Sequence, residues 1–172
     1  MNLSKSILFL ALSGVSSAAL AAEAEKTPPA PSIFVKKAAL DGMTEVEAGK
    51  IALSKSQDPA IRSFAERMVS DHGRANAELA SLAKSKGIAA PQELDAEHKA
   101  MVNALSSKSG GDFDHAYAEH MQMDHSKAVA LFESATGSAD KDFAQFAEKT
   151  LPTLKEHKQL AEKLPGKSSP GG

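Results

Sequence analysis

Apolar and polar residues alternate along most of the chain with the period of an α-helix. The most regular segments carry apolar or small residues in alternating steps of four and three, a pattern typical of helices packed side by side. The members of these stripes are Ile61, Ala65, Met68, His72, Ala75, Leu79 and Leu82; Ala118, Met121, His125, Ala128, Phe132 and Ala135; and Phe143, Ala147, Thr150, Leu154, His157, Ala161 and Leu164.

Capping and breaking residues divide this pattern into four long helices and one short one. Asp58 before Pro59 is typical of an N-cap followed by proline at the first helical position, and glycine commonly ends a helix. The expected helices run from Ser32 to about Ser56, from Pro59 to Gly87, from Pro91 to about Ser106, from Asp112 to Gly137, and from Ser138 to Pro165.

The connections between these helices predict the topology. The first two long helices and the last two are each joined by a tight turn, so each pair forms an antiparallel hairpin. The segment between the hairpins carries the short helix and is long enough to return along the bundle. We therefore expect an all-α, ferritin-like four-helix bundle with a long crossover that carries a short extra helix.

The N-terminal residues predict export. Lys5, the apolar run after it and Ala19-Leu20-Ala21 are typical of a cleavable signal peptide over residues 1–21. A proline-rich spacer follows over 22–31, the helical domain covers 32–164, and residues 165–172 form a flexible tail. We expect a periplasmic protein with no stable membrane insertion after cleavage, because the apolar run is short and interrupted.

Composition excludes several function classes. The 172 residues include no cysteine, which removes disulfides, thiolate catalysis and cysteine metal sites. A net charge of −2 and 5% aromatic residues argue against a nucleic-acid partner. No nucleotide-binding or nucleophile-elbow motif is present, so catalysis is not the favoured interpretation, and protein partners and oligomeric state stay open.

One sequence pattern occurs twice. Phe64-Ala65-Glu66-x-Met68-x-x-Asp71-His72-x-Arg74-Ala75 returns 53 residues later as Tyr117-Ala118-Glu119-x-Met121-x-x-Asp124-His125-x-Lys127-Ala128. The matched methionine, Asp-His pair and basic residue indicate two related half-bundles.

These motifs carry a resemblance to a known family. Together with Phe34-Val35-Lys36-Lys37-Ala38-Ala39, Gly42-Met43-Thr44-Glu45-Val46-Glu47 and Leu151-Pro152-Thr153-Leu154-x-x-His157, the chain over about 33–164 resembles the exported bacterial domain-of-unknown-function family 4142. Its members are ferritin-like and are often labelled as membrane or outer-membrane proteins. The resemblance implies the fold and export, and no established reaction.

Histidines at core positions are the main chemical feature of the sequence. His72, His125 and His157 lie on the stripes of three different long helices, where a buried imidazole needs partners for its nitrogens. Counting from the helix ends places His72, His125 and Glu45 at one level. Met68 and Met121 follow one turn away, and His157 lies near the methionines. Of Glu45 and Glu47, at most one faces inward.

This set of residues allows metal binding. Imidazole with thioether suits copper, and imidazole with carboxylate suits iron or zinc, so the candidate ligands are Glu45, His72, His125, His157, Met68 and Met121. A bridged di-iron centre fits poorly because the chain contains no Glu-x-x-His. Asp71 and Asp124 lie off the stripes, as surface groups or as partners of the ligands. His115 and His120 are expected on the surface or flank.

Three functions stay open at this stage. The first is a periplasmic metal-binding bundle. The second is a structural or stress-related interaction protein whose core histidines hydrogen-bond to Glu45, Tyr117 or buried water and only specify packing. The third is an oxidoreductase with a non-standard metal centre.

Overall fold

The computed structural model describes residues 27–165, which form five α-helices and no strand in that range. The predicted signal peptide, the first part of the spacer and nearly all of the predicted tail lie outside the described residues. Within 27–165, no helix combines the length and the apolar character that crossing a membrane requires. The helices are α1 (Pro31–Lys55), α2 (Pro59–Ser85), α3 (Ala96–Ser106), α4 (Gly110–Ala135) and α5 (Lys141–Ala161).

The four long helices pack as two hairpins. α1 packs along α2 and α4 along α5, and the hairpins meet where α1 contacts α4 and α2 contacts α5. α3 lies in the connection between the hairpins and packs on α1 and α4. The expected all-α bundle with one long crossover is confirmed.

Side-chain caps set most of the helix starts. Asp58 Oδ1 accepts hydrogen bonds from the backbone N–H groups of Ala60 and Ile61, with Pro59 at the first helical position, as the sequence predicts. Asp95 Oδ1 accepts from the backbone N–H of His98 and starts α3. These carboxylates satisfy N–H groups that a helix start leaves without a partner.

Several predicted boundaries are wrong by a few residues. α1 begins at Pro31 rather than Ser32, because proline is favoured at a first helical position. α3 begins at Ala96 rather than Pro91, since Asp95 caps it, and α4 begins at Gly110 rather than Asp112. The predicted Ser138 cap is replaced by Asp140, which accepts from the backbone N–H of Asp142.

The helix ends also come earlier than expected. α2 ends at Ser85 and α4 at Ala135, because the glycine that follows each lies in the turn beyond the helix rather than in its last residue. Gly87 has a φ of +68°, the left-handed conformation that glycine adopts most easily after a helix. α5 ends at Ala161 rather than at Pro165.

The core consists of two apolar clusters. The first contains Phe64, Met68, Phe113, Tyr117 and Met121, among others, and lies toward the start of α2 and α4. The second lies toward the other end of the bundle and includes Phe34, Leu79, Phe132, Phe143 and Phe146.

A polar layer lies between these clusters. It consists of Glu45, His72, His125 and His157, one residue from each long helix, and all four are buried. We call this group the histidine layer. Each long helix passes from one apolar cluster to the other at its member of the layer.

Glycine permits the close approach of α1 and α2. A Cβ added at Gly49 would lie 3.0 Å from Val69 Cγ2 and 3.1 Å from the Ala65 carbonyl oxygen. The carbonyl belongs to the α2 backbone and cannot turn aside, so a side chain at position 49 would push the two helices apart.

We expect Gly49→Ala to lower the free energy of unfolding by about 1–3 kcal/mol through overpacking. Gly73→Ala is the matched control on the exposed face of α2, where an added Cβ meets no atom of the described residues within 4 Å. It should stabilise the protein by about 0.5–1 kcal/mol because alanine is the better helix former. Chemical denaturation measures the free energy of unfolding of both variants. If the two substitutions changed it by the same amount and in the same direction, the close approach of α1 and α2 at Gly49 would be contradicted.

Candidate metal centre

Three histidines from three helices meet in the middle of the bundle. The ring centroids lie 5.6 Å apart for His72 and His125, 5.5 Å for His72 and His157, and 5.5 Å for His125 and His157. One nitrogen of each ring lies within 4.8 Å of the corresponding nitrogens of the other two. His125 and His157 are each 1% exposed and His72 is 8% exposed. The predicted meeting of His72 and His125 at one level is found.

The position of His157 differs from the expectation. Counting from Ser138 placed it near the methionines, whereas the structure places it beside His72 and His125. The count fails because α5 begins at Lys141 and is held in register by ion pairs to α2. Lys86 Nζ lies 3.0 Å from Asp140 Oδ2 and 2.6 Å from Asp142 Oδ2.

Polar contacts continue along the same two helices, α2 and α5. Lys149 Nζ lies 2.7 Å from Glu78 Oε1, and His157 Nε2 lies 3.0 Å from Asp71 Oδ2. Arg67 and Glu156 complete the series at 3.0 Å. His157 therefore reaches the layer one turn before α5 ends.

Hydrogen bonds fix the tautomers of two of the rings. His125 Nδ1 lies 2.8 Å from the Met121 carbonyl oxygen, which only accepts, so Nδ1 carries the hydrogen and donates it. His157 Nε2 donates in the same way to the Asp71 carboxylate. In each ring, the second nitrogen is left with a lone pair, which is the form that ligates a metal.

Three further ring nitrogens have no hydrogen-bond partner within residues 27–165. His72 Nε2, His125 Nε2 and His157 Nδ1 are buried and make no hydrogen bond to any described residue. Tyr117 Oη, which the structural interpretation offered as a partner, is also buried and unpaired within 27–165. The structural interpretation needs satisfied imidazoles, and no group within residues 27–165 satisfies these three nitrogens.

Burial keeps the histidines neutral. It lowers the pKa of His125 from 6.5 to about 4, although the hydrogen bond to Met121 works in the opposite direction. Burial also lowers the pKa of His72 well below its usual range, and the other two histidines add to this effect. The pKa of His157 is lowered by burial against the raising effect of Asp71. Neutral imidazole is the ligating form at pH 7.

Glu45 is the inward-facing member of the Glu45 and Glu47 pair. Its Oε1 lies 3.8 Å from His125 Nδ1, the nitrogen that donates to the Met121 carbonyl. Its Oε2 is buried without a partner among residues 27–165. Burial raises the pKa of Glu45 well above 4.5, and the charges of Asp124 and Asp41 add to the rise. Glu47 is half-exposed and pairs with Lys50. The contact places Glu45 behind His125, next to the nitrogen that faces away from a metal.

Met68 and Met121 are fully buried, one turn from His72 and His125. Both side chains belong to the first apolar cluster, where they pack with Phe64 and Tyr117. Among the histidine, aspartate and glutamate side chains of the described residues, the three histidines come together as potential metal ligands.

An internal cavity lies beside the layer. Its volume is about 30 Å³, and His72, His125 and Glu45 contribute to its wall, together with Asp41 and Asp124. A water molecule needs about 10–15 Å³ measured in this way, so the cavity has room for a small ligand or one to two waters.

Sequence analysis missed two groups at this site. The Met121 carbonyl carries no sequence signal, because any residue supplies one. Asp41 also attracted no attention, since one aspartate on a helix is ordinary. His120, expected on the surface or flank, has a side chain that is 11% exposed. Its Nε2 lies 3.1 Å from Asp124 Oδ2.

Comparison with known proteins places the fold in a family. A family model described as a domain of unknown function, DUF4142, matches residues 16–164. The chain belongs to this family. No curated protein matches the chain. Among solved structures, a DUF305 fragment from Deinococcus radiodurans is similar, with a TM-score of 0.68 and 17% identity over 79% of this chain and 95% of the fragment. That likeness shows a shared fold.

The lowered pKa of His125 predicts a pH-dependent stability. As pH falls below 6.5, the unfolded state binds a proton at this histidine before the folded state does, so stability is lost between pH 6.5 and about pH 4. The loss should reach about 3 kcal/mol, at about 1.4 kcal/mol for each pKa unit.

Denaturation of metal-free wild type and His125→Gln at pH 4 and pH 7 measures this contribution. The stability advantage of wild type should shrink by about 3 kcal/mol at the lower pH. The difference in stability between wild type and variant removes the pH dependence of groups that both proteins share. Glu45 is one of these groups, and its raised pKa changes stability with pH in the direction opposite to His125. A difference that does not change with pH would contradict the buried neutral state of His125.

Proposed function

We propose that this protein binds one transition-metal ion through His72, His125 and His157, as an exported metal-binding bundle of the bacterial periplasm. The observation that carries the proposal is the meeting of three buried imidazole rings, each with one nitrogen that has no hydrogen-bond partner among the described residues.

The energetic argument begins with the cost of these nitrogens. A buried polar atom without a partner costs about 1–3 kcal/mol, and three such atoms belong to rings that meet in the middle of the bundle. A metal ion satisfies all three at once. Zinc and copper take imidazole nitrogen at about 2.0–2.1 Å, which places ligand nitrogens about 3.3 Å apart in a tetrahedral site. Small ring rotations can close nitrogens that lie within 4.8 Å of one another to that spacing.

The groups behind the ligands support the same function. The Asp71 carboxylate behind His157 and the carbonyl behind His125 have the arrangement that orients metal-bound histidines in proteins. The donated N–H bonds hold the rings in the ligating tautomer. Asp71 also brings a negative charge close to the centre, where it offsets the charge of a cation.

The donor set favours copper or zinc. Three neutral imidazoles without thiolate suit Cu²⁺, Cu⁺ and Zn²⁺, and divalent copper is expected to bind most tightly. Iron is a weaker candidate because carboxylates are not among the converging atoms. The cavity beside His72 and His125 leaves room for a water molecule as a fourth ligand.

Metal analysis of the mature protein, purified without a His-tag from its own periplasm, tests the proposal. We expect about one equivalent of copper or zinc in the wild type and loss of that metal in His125→Gln. The control is His115→Gln, which removes a partly buried histidine from α4 outside the layer. At a free metal concentration of about 100 times Kd, the wild type should gain about 2.7 kcal/mol of stability.

A second measurement is independent of any variant. Nitrogen NMR of the six histidines should show that the ring signals of three histidines shift when one equivalent of Zn²⁺ is added, while those of the other three histidines stay in place. A protein that is free of metal at purification and unchanged by copper, zinc and iron in titration would overturn the proposal. The histidines would then be structural, with buried water as their partner, and the protein would be an interaction module.

A further inference from the structure

The cavity beside the histidine layer is lined by carboxylates on one side. Asp41 and Glu45 lie one turn apart on α1, and Asp124 lies opposite them on α4, next to His125 in the sequence. All three residues line the same cavity as His72 and His125. The acidic groups and the imidazoles therefore share one internal space.

Exposure falls steadily along this set of residues. The side chain of Asp41 is 43% exposed, that of Asp124 is 15% exposed, and that of Glu45 is 4% exposed. His125, at the inner end, is 1% exposed. The side chains are therefore arranged from the solvent, at Asp41, inward to the histidine layer.

The two aspartates lie close enough to influence each other. Burial raises the pKa of Asp41, and the negative charge of Asp124 adds to the rise, while His98 works against it. Inside them, Glu45 presents a buried oxygen without a partner in the described range. A cation moving inward would pass from the aspartates to this oxygen, on the Nδ1 side of His125, and then past that ring to the nitrogens available for ligation.

Two histidines and one lysine surround the outer end. His98 Nε2 lies 3.4 Å from Asp41 Oδ1, and His120 Nε2 lies 3.1 Å from Asp124 Oδ2. Lys127 Nζ lies 3.6 Å from Asp124 Oδ1, on a side chain that is 65% exposed and can swing away. His98 belongs to α3, so the crossover helix borders the opening.

We propose that Asp41, Asp124 and Glu45 form the entry route by which a divalent metal cation reaches the three histidines. The inference rests on the proposed metal-binding function and adds how the ion arrives. Carboxylates that line a cleft raise the local concentration of cations and increase association rates about 10–10³-fold. These residues act on the rate of loading, whereas the histidines determine whether the ion is held.

Stopped-flow absorbance with Co²⁺ as the probe tests this route on metal-free protein. The double variant Asp41→Asn/Asp124→Asn should bind one equivalent as the wild type does, with association at least about tenfold slower. The charge-matched control is Glu47→Gln/Glu133→Gln, which changes one acidic residue on each of the same two helices, away from the cavity. Its association rate should stay within about twofold of the wild-type rate.

A second variant tests the route without changing charge. Ala128→Val adds bulk to the cavity wall, and it should slow both the binding of Co²⁺ and its removal by EDTA. Normal helicity by circular dichroism shows that each variant is folded.

Three results would overturn the inference. In the first, the aspartate variant loads as fast as its control. In the second, its association rate is normal but it holds less metal, which makes the aspartates ligands rather than a route. In the third, Ala128→Val loads and releases metal at wild-type rates. Failure of the wild type to bind any metal is a different result, because it removes the proposed function itself.

Discussion

Four buried polar side chains, one from each long helix, have to meet between two apolar clusters. Imidazole and carboxyl groups lose hydration when they are buried, and burying them in one shared layer keeps each of them out of the apolar clusters. Sliding any helix by one turn would move its polar residue into an apolar cluster and bring an apolar residue into the layer. The layer therefore selects one register among several that the alanine-rich stripes would otherwise allow.

The same layer explains the repeated sequence pattern. Met68 and His72 on α2 match Met121 and His125 on α4, so both helices leave the first apolar cluster and enter the layer in the same order. Each aspartate that precedes one of these histidines pairs with the basic residue three positions on, Arg74 or Lys127, and the other contacts of the two aspartates differ. Asp71 accepts from His157 of α5, whereas Asp124 pairs with His120 and lines the cavity beside α1. The half-bundles thus share their packing and differ in what each aspartate does.

Much of this architecture could be predicted from sequence, because helix periodicity, caps and connection lengths are local signals. Asp58-Pro59 fixed one helix start, and the count from it placed His72 level with His125. The position of His157 could not be obtained in that way. It depends on where α5 begins and on ion pairs such as Lys86 with Asp142, which join residues far apart in the chain. The unpaired nitrogens were also beyond prediction, because they depend on the rotamers of three neighbouring rings.

α2 packs on α1 and on α5 through different kinds of contact. Toward α1, glycine allows backbone and side chains to touch, and such packing does not respond to dissolved ions. Toward α5, a series of partly exposed charged pairs spans the interface, and charges of this kind are screened at high ionic strength. High salt is therefore expected to weaken the α2–α5 contacts more than the α1–α2 contacts. In whatever compartment the protein lies, the tightness of the α2–α5 interface would therefore follow the ionic strength around it.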